Sequence, residues 1–158
     1  MVTDDLDAAL VLNNANLPEL NELDVAEITR LHELATEGGA ALTAEVDGRF
    51  AGFCLVYPPG VDYASLNYRW FSERYESFVY LDRIAVDTTL RRSGAGRGMY
   101  AELVRRFTGV WPLLLCEVNV RPRNDASLDF HHHIGFREVG QQDTDGGAKT
   151  VSLLALDL

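Results

Sequence analysis

Eight consecutive residues, Arg91-Arg92-Ser93-Gly94-Ala95-Gly96-Arg97-Gly98, place three arginines among three glycines. They follow a strand-like apolar run, Phe78 to Val86, and precede Met99, Tyr100, Leu103, Val104 and Phe107 at helical spacing. A glycine-rich turn that enters a helix aims unpaired backbone N–H groups at one spot, where the helix dipole is positive. Glycine also lets the chain curve into a nest and approach a ligand with no Cβ in the way. Guanidinium groups add charge that no pH in use removes. The chemistry this suits is the binding of a phosphate. A Walker A loop requires a Lys-Ser/Thr ending that Arg97-Gly98-Met99 lacks, and in a Gly-x-Gly-x-x-Gly reading the third glycine falls one position early.

Further groups with chemical potential lie inside apolar strands. Alternation puts Glu117 and Asn119 on one side of their strand, and Tyr80 and Asp82 on one side of theirs. An ionisable side chain in so apolar a run is unusual. Glu117 is the first choice for a general base and Asp82 the second, each acting through water. The plainer alternative for either is a carboxylate paired with Arg83 or a neighbouring loop. His131, His132 and His133 are adjacent, so on a helix they splay by ~100° and cannot converge on one metal ion. No metal site is expected.

The elements that must hold these groups can be read from pattern. Residues 6–12 form an apolar run that suits an opening strand. Asp24-Val25-Ala26-Glu27 reads as a capping box, Val25, Ile28, Leu31 and Ala35 follow at helical spacing, and Gly38-Gly39 ends that helix. Runs 41–46 and 50–57 flank Asp47-Gly48, a strong hairpin signal. Tyr68, Phe71 and Tyr75 share one helical face, which suits the core or a homodimer contact. Trp70 lies off that stripe and is the better candidate for a ligand. Strands at 78–86 and 113–120 flank the helix at about 94–108, a crossover that implies a parallel pair. Runs 136–141 and 150–156 can pair across Asp145-Gly146-Gly147.

Arg91-x-x-Gly94-x-Gly96, set after Ile84-Ala85-Val86-Asp87, resembles the acyl-CoA pyrophosphate loop of the GNAT superfamily of N-acetyltransferases. A second segment, Asn124 to Phe136, resembles the superfamily's other signature: an Asn, a small residue, then Phe-Tyr, then Gly-Phe closing the helix. The likeness covers the chain from about residue 40 to the end. It implies an α/β fold in a single domain, 1–158, with a mixed, mostly antiparallel sheet of about six or seven strands, one parallel strand–helix–strand unit and flanking helices.

The resemblance also implies acetyl-CoA as co-substrate. Its pyrophosphate would rest on amides of Arg92, Ser93, Gly94, Ala95, Gly96, Arg97 and Gly98, with Arg91, Arg92 and Arg97 neutralising charge. The pantetheine arm would run along Ile84, Ala85 and Val86 like an added strand. Asn124, Ser127 and Phe130 would flank the coenzyme, although Asn124 serves equally as a helix N-cap. His131 stands where the family carries a tyrosine that protonates the departing thiolate. Its imidazole would act as that acid, or only pack beside the coenzyme while the thiolate leaves unprotonated. Tyr80 stands where some members carry a strand glutamate, so the base does not carry over directly. Trp70, Tyr80 and Asn119 are the candidate contacts to an acceptor.

The implied reaction is transfer of an acetyl group to a primary amine of a small molecule, peptide or protein, by direct attack in a ternary complex. The alternative is a CoA-binding regulatory or sensor module without turnover. Net charge of −10, from 14 basic and 24 acidic residues, argues against nucleic acid as a partner. No apolar run approaches the ~20 residues of a membrane span, so no membrane partner is expected. The first residues lack a signal-peptide pattern, and Cys54 and Cys116 lie in apolar runs, so the expected compartment is the cytoplasm.

Overall fold

The computed structural model describes residues 1–158, with strands β1 (Ala40–Val46), β2 (Arg49–Tyr57), β3 (Val79–Val86), β4 (Leu113–Arg121), β5 (Arg137–Thr144) and β6 (Lys149–Asp157). They form one mixed sheet in the order β1-β2-β3-β4-β6-β5. Helices are α1 (Leu6–Asn14), α2 (Val25–Thr36), α3 (Leu66–Ser72), α4 (Ala95–Phe107) and α5 (Asp125–His133). Internal contacts divide the chain into two units: Met1–Pro58 with Leu81–Phe107, and Pro59–Tyr80 with Thr108–Leu158.

In the first unit, β1 and β2 form the antiparallel hairpin that Asp47-Gly48 announces, with Leu42 opposite Cys54. Asp24 caps α2: its carboxylate accepts from the Glu27 N–H at 2.8 Å. The apolar sides of α2 (Ile28, Leu31, Ala35) and α4 (Met99, Tyr100, Leu103, Phe107) are buried, and both helices pack on the hairpin. Residues 6–12 differ from expectation, for they belong to α1 and not to a strand. The buried positions Leu6, Ala9 and Leu12 recur every third residue, a helical stripe hidden by the apolar Ala8 and Val11 between them. Gly52 on β2 allows a close approach to β3, since a Cβ there would meet the Ala85 carbonyl oxygen at 2.6 Å.

In the second unit, β6 lies between β4 and β5 and pairs antiparallel with both. Its residues 151–155 are buried. The start of β3 pairs parallel with β4 through Val79–Leu114 and Tyr80–Leu115, as the crossover requires. Ser65 caps α3, accepting from the Tyr68 N–H at 3.3 Å. Tyr68 and Phe71 are buried from this helix, whereas Tyr75 lies past its end. Tyr68 packs edge-on against Phe78 and Tyr80, with centroids 6.0 and 5.4 Å apart.

Candidate functional site

Within the first unit, the end of β3 is pinned before the glycine turn begins. The Asp87 N–H donates to the Ala51 carbonyl at 2.9 Å, and the Asp87 carboxylate accepts from the N–H and hydroxyl of Thr89, both at 2.7 Å. These bonds hold the Asp87 carboxyl below its ordinary range, the hydroxyl bond contributing most. Next come two left-handed residues, Arg92 at φ 68° and Gly94 at φ 93°, before α4 starts at Ala95. The Gly98 N–H donates to the Gly94 carbonyl at 2.8 Å and the Ser93 N–H to Leu90 at 3.3 Å. Helix geometry leaves the N–H groups of Ala95, Gly96 and Arg97 without a carbonyl of their own helix. A weak 3.4 Å bond joins the Ala95 N–H to the Ser93 hydroxyl. Arg91, Arg92 and Arg97 are exposed. A run of such amides edged by guanidinium groups can bind a diphosphate.

Ile84, Ala85 and Val86 form the end of β3, with Ala85 buried. One step earlier, the Asp82 and Arg83 side chains are only 5% and 7% exposed, with Nε 2.7 Å from Oδ2. Tyr57 donates its hydroxyl to the same Asp82 oxygen at 3.3 Å, and Arg83 donates to Asn13 Oδ1 at 2.8 Å. Asp82 thus sits in a buried ion pair with its charge balanced inside the unit. Tyr57 and Asn13 complete this cluster, and sequence reasoning missed both.

Within the second unit, Tyr80 and Glu117 meet. The phenol hydroxyl stands 2.9 Å from each carboxylate oxygen of Glu117. Tyr80 is fully buried, whereas Glu117 is partly exposed. The Asn119 carbonyl accepts from the Asn124 N–H at 3.0 Å, holding the turn into α5. The Asn124 side chain caps that helix, with Oδ1 accepting from the Ser127 N–H at 3.1 Å. His131, 4% exposed, has Nδ1 2.7 Å from the Ser127 carbonyl oxygen and 3.3 Å from its hydroxyl. Phe130 and Phe136 flank the imidazole edge-on, at 5.6 and 5.2 Å. Burial lowers the His131 pKa, partly offset by the bond to Ser127. His132 and His133 are exposed. The Trp70 indole lies under Arg74, 3.9 Å from its guanidinium carbon, and over Gly140, where a Cβ would come within 2.7 Å of the ring.

The chain matches the family model described as "Acetyltransferase (GNAT) family" over residues 9–136. No curated protein matches. Among solved structures, Ard1 from Thermoplasma volcanium superposes with a TM-score of 0.80 at 16% identity, covering 100% of this chain and 94% of that one. The ribosomal-protein-alanine N-acetyltransferase from Brucella melitensis gives a TM-score of 0.74 at 22% identity, covering 100% and 97%. The acetyltransferase yncA from Salmonella typhimurium, solved with acetyl-CoA, gives 0.73 at 18%, covering 100% and 91%. At these identities the three structures establish a common fold.

Proposed function

Because the chain belongs to the acetyltransferase (GNAT) family, whose co-substrate is acetyl-CoA, we propose that it moves the acetyl group from acetyl-CoA to a primary amine by direct attack. The observation that carries this reading is the pinned strand end, left-handed turn and open first helical turn between Asp87 and Gly98. Amides of Ala95, Gly96 and Arg97 bind the pyrophosphate, with Arg91, Arg92 and Arg97 neutralising it. The backbone of Ile84, Ala85 and Val86 takes the pantetheine arm. Residues 1–158 act as one acetyltransferase domain, and the acceptor is a small molecule, peptide or protein. The alanine acceptor in the name of the Brucella melitensis structure makes a peptide N-terminus a first compound to try.

For the proton chemistry, Glu117 is the better-placed base, because it is partly exposed whereas the Asp82 side chain is buried against Arg83. The amine nitrogen attacks the thioester carbon, its proton passes to Glu117, and the C–S electron pair leaves on sulfur. His131 is the weaker acid than a tyrosine would be, since its Nδ1 proton is held by Ser127 and burial disfavours a second one. Asn124 and Ser127 hold α5 and the His131 ring in place. The buried thiols Cys54 and Cys116 suit a reducing compartment such as the cytoplasm.

The test is to incubate the protein with acetyl-CoA and a panel of amines and peptides and to follow free thiol. Acceptor-dependent release supports transfer. Tight CoA binding with no release for any acceptor would favour the second reading, a CoA-binding sensor, which the neutral His131 supports.

A further inference from the structure

Tyr80 pairs with Leu115 in the parallel register, so its side chain shares a face with Leu115 and Glu117. A long aromatic side chain reaches a diagonal neighbour across strands, and here the phenol does so. Its ring is locked by Tyr68 at 5.4 Å and Phe71 at 5.9 Å between centroids. The hydroxyl is nearly equidistant from both Glu117 oxygens, at 2.9 Å each. One proton shared between two oxygens turns the plane of the carboxylate toward a fixed point. A buried hydroxyl must be bonded to repay its desolvation, and a bond to the charged form of an acid favours that form.

We infer that Tyr80 is a positioning residue for proton removal: its hydroxyl fixes the orientation of the Glu117 carboxylate that meets the acceptor amine. The inference rests on the acetyltransferase reading above and deepens it. Tyr80 keeps its own proton throughout. The amine proton goes to Glu117, nitrogen bonds to the acetyl carbon, the C–S bond breaks toward sulfur, and Glu117 later returns its proton to solvent. Burial of Tyr80 and partial exposure of Glu117 divide the work this way, because substrate can reach only the second.

On the elements around Glu117 in this unit, the buried titratable groups are Tyr68 on α3, Cys116 beside it on β4 and His131 on α5, whereas Arg69 on α3, Arg121 on β4, Asp125, Asp129, His132 and His133 on α5 and Asp157 on β6 are exposed and Lys149 on β6 is half-buried. Burial raises the Tyr68 phenol and the Cys116 thiol and lowers His131, so each stays neutral near pH 7. Leu153 is its partner on β6 and carries no charge. A change in the acid limb on removing the phenol hydroxyl is assigned to Glu117 by its absence in the Glu117→Gln background.

The experiment compares wild type, Tyr80→Phe, Glu117→Gln and the double variant, with acetyl-CoA and an amine that the wild type acetylates. Tyr80→Phe keeps the ring. It is expected to lower kcat roughly 10- to 100-fold, the weight of a hydrogen bond to a charged group. KM for acetyl-CoA and the melting temperature should stay close to wild type, and the acid limb of the rate should move to higher pH. In the Glu117→Gln background, losing the hydroxyl should cost little more. An unchanged kcat and acid limb in Tyr80→Phe, or the same loss in both backgrounds, overturns the inference and leaves the acetyltransferase reading intact. A wild-type protein inactive toward every amine overturns both.

Discussion

His131 Nδ1 lies 2.7 Å from the Ser127 carbonyl oxygen, one helical turn earlier. A carbonyl oxygen can only accept, so in the neutral ring the proton sits on Nδ1 and the other nitrogen carries the lone pair. Burial lowers the pKa of this imidazole below its ordinary 6.5. The unfolded chain therefore binds a proton at a pH where the folded chain does not, and folding loses stability as pH falls from about 6.5 toward the folded-state value. Urea denaturation at pH 7 and pH 5 should show a larger drop for wild type than for His131→Phe. Equal drops would mean that the imidazole charges as easily in the fold as outside it.

Gly52 and Ala85 make a second prediction. A Cβ on Gly52 would stand 2.6 Å from the Ala85 oxygen and 3.4 Å from the Val86 Cα. Gly52→Ala must push backbone and not a flexible side-chain tip. It should cost about 1–3 kcal/mol of stability, as overpacking does, and weaken acetyl-CoA binding measured by calorimetry. Lost stability with unchanged coenzyme affinity would remove Ala85 and Val86 from the binding surface.

The Asp82–Arg83 pair is almost without solvent. Arg83→Met leaves a buried carboxylate with its cation gone, which costs about 3–5 kcal/mol in comparable sites. Asp82→Leu combined with Arg83→Met removes both charges and should recover most of that loss in a denaturant titration. Failure to recover would shift the weight to the Arg83–Asn13 bond.

At Gly94 nothing lies within 4 Å of where a Cβ would stand, so only the φ of +93° opposes a side chain. Gly94→Val should leave the melting temperature nearly unchanged in a chain free to flatten the turn. Acetyl-CoA affinity should fall roughly 5- to 30-fold, since a left-handed residue costs ~1–2 kcal/mol to hold. Arg92, also left-handed at φ 68°, gives the contrast. Arg92→Gly relieves strain but removes a charge, so its affinity loss should shrink as salt rises.

Features encoded locally were legible in the sequence. The Asp47-Gly48 hairpin, the Asp24 cap and the glycine turn into α4 depend on neighbours within a few residues, and each forms where its pattern lies. The opening helix was misread because Leu6, Ala8, Ala9, Leu10, Val11 and Leu12 are nearly all apolar, which erases the periodicity that separates helix from strand. In the candidate site, the glycine turn was legible for the same local reason. The pairings were not. Tyr80 finds Glu117 from 37 residues away, Asp82 finds Tyr57 from 25, and Arg83 finds Asn13 from 70. Such partners follow from register between strands and helix docking, which no spacing within one segment reveals.

Arg91, Arg92 and Arg97 stand exposed on a chain whose formal charge is −10. A multiply charged anion is therefore repelled by the whole body from afar and drawn in by this one turn at close range. Dissolved ions damp the distant force first, with a screening length of ~8 Å at physiological ionic strength. Coenzyme capture in stopped flow should accordingly quicken as the first salt is added to a dilute buffer, then slow as further salt reaches the arginines themselves.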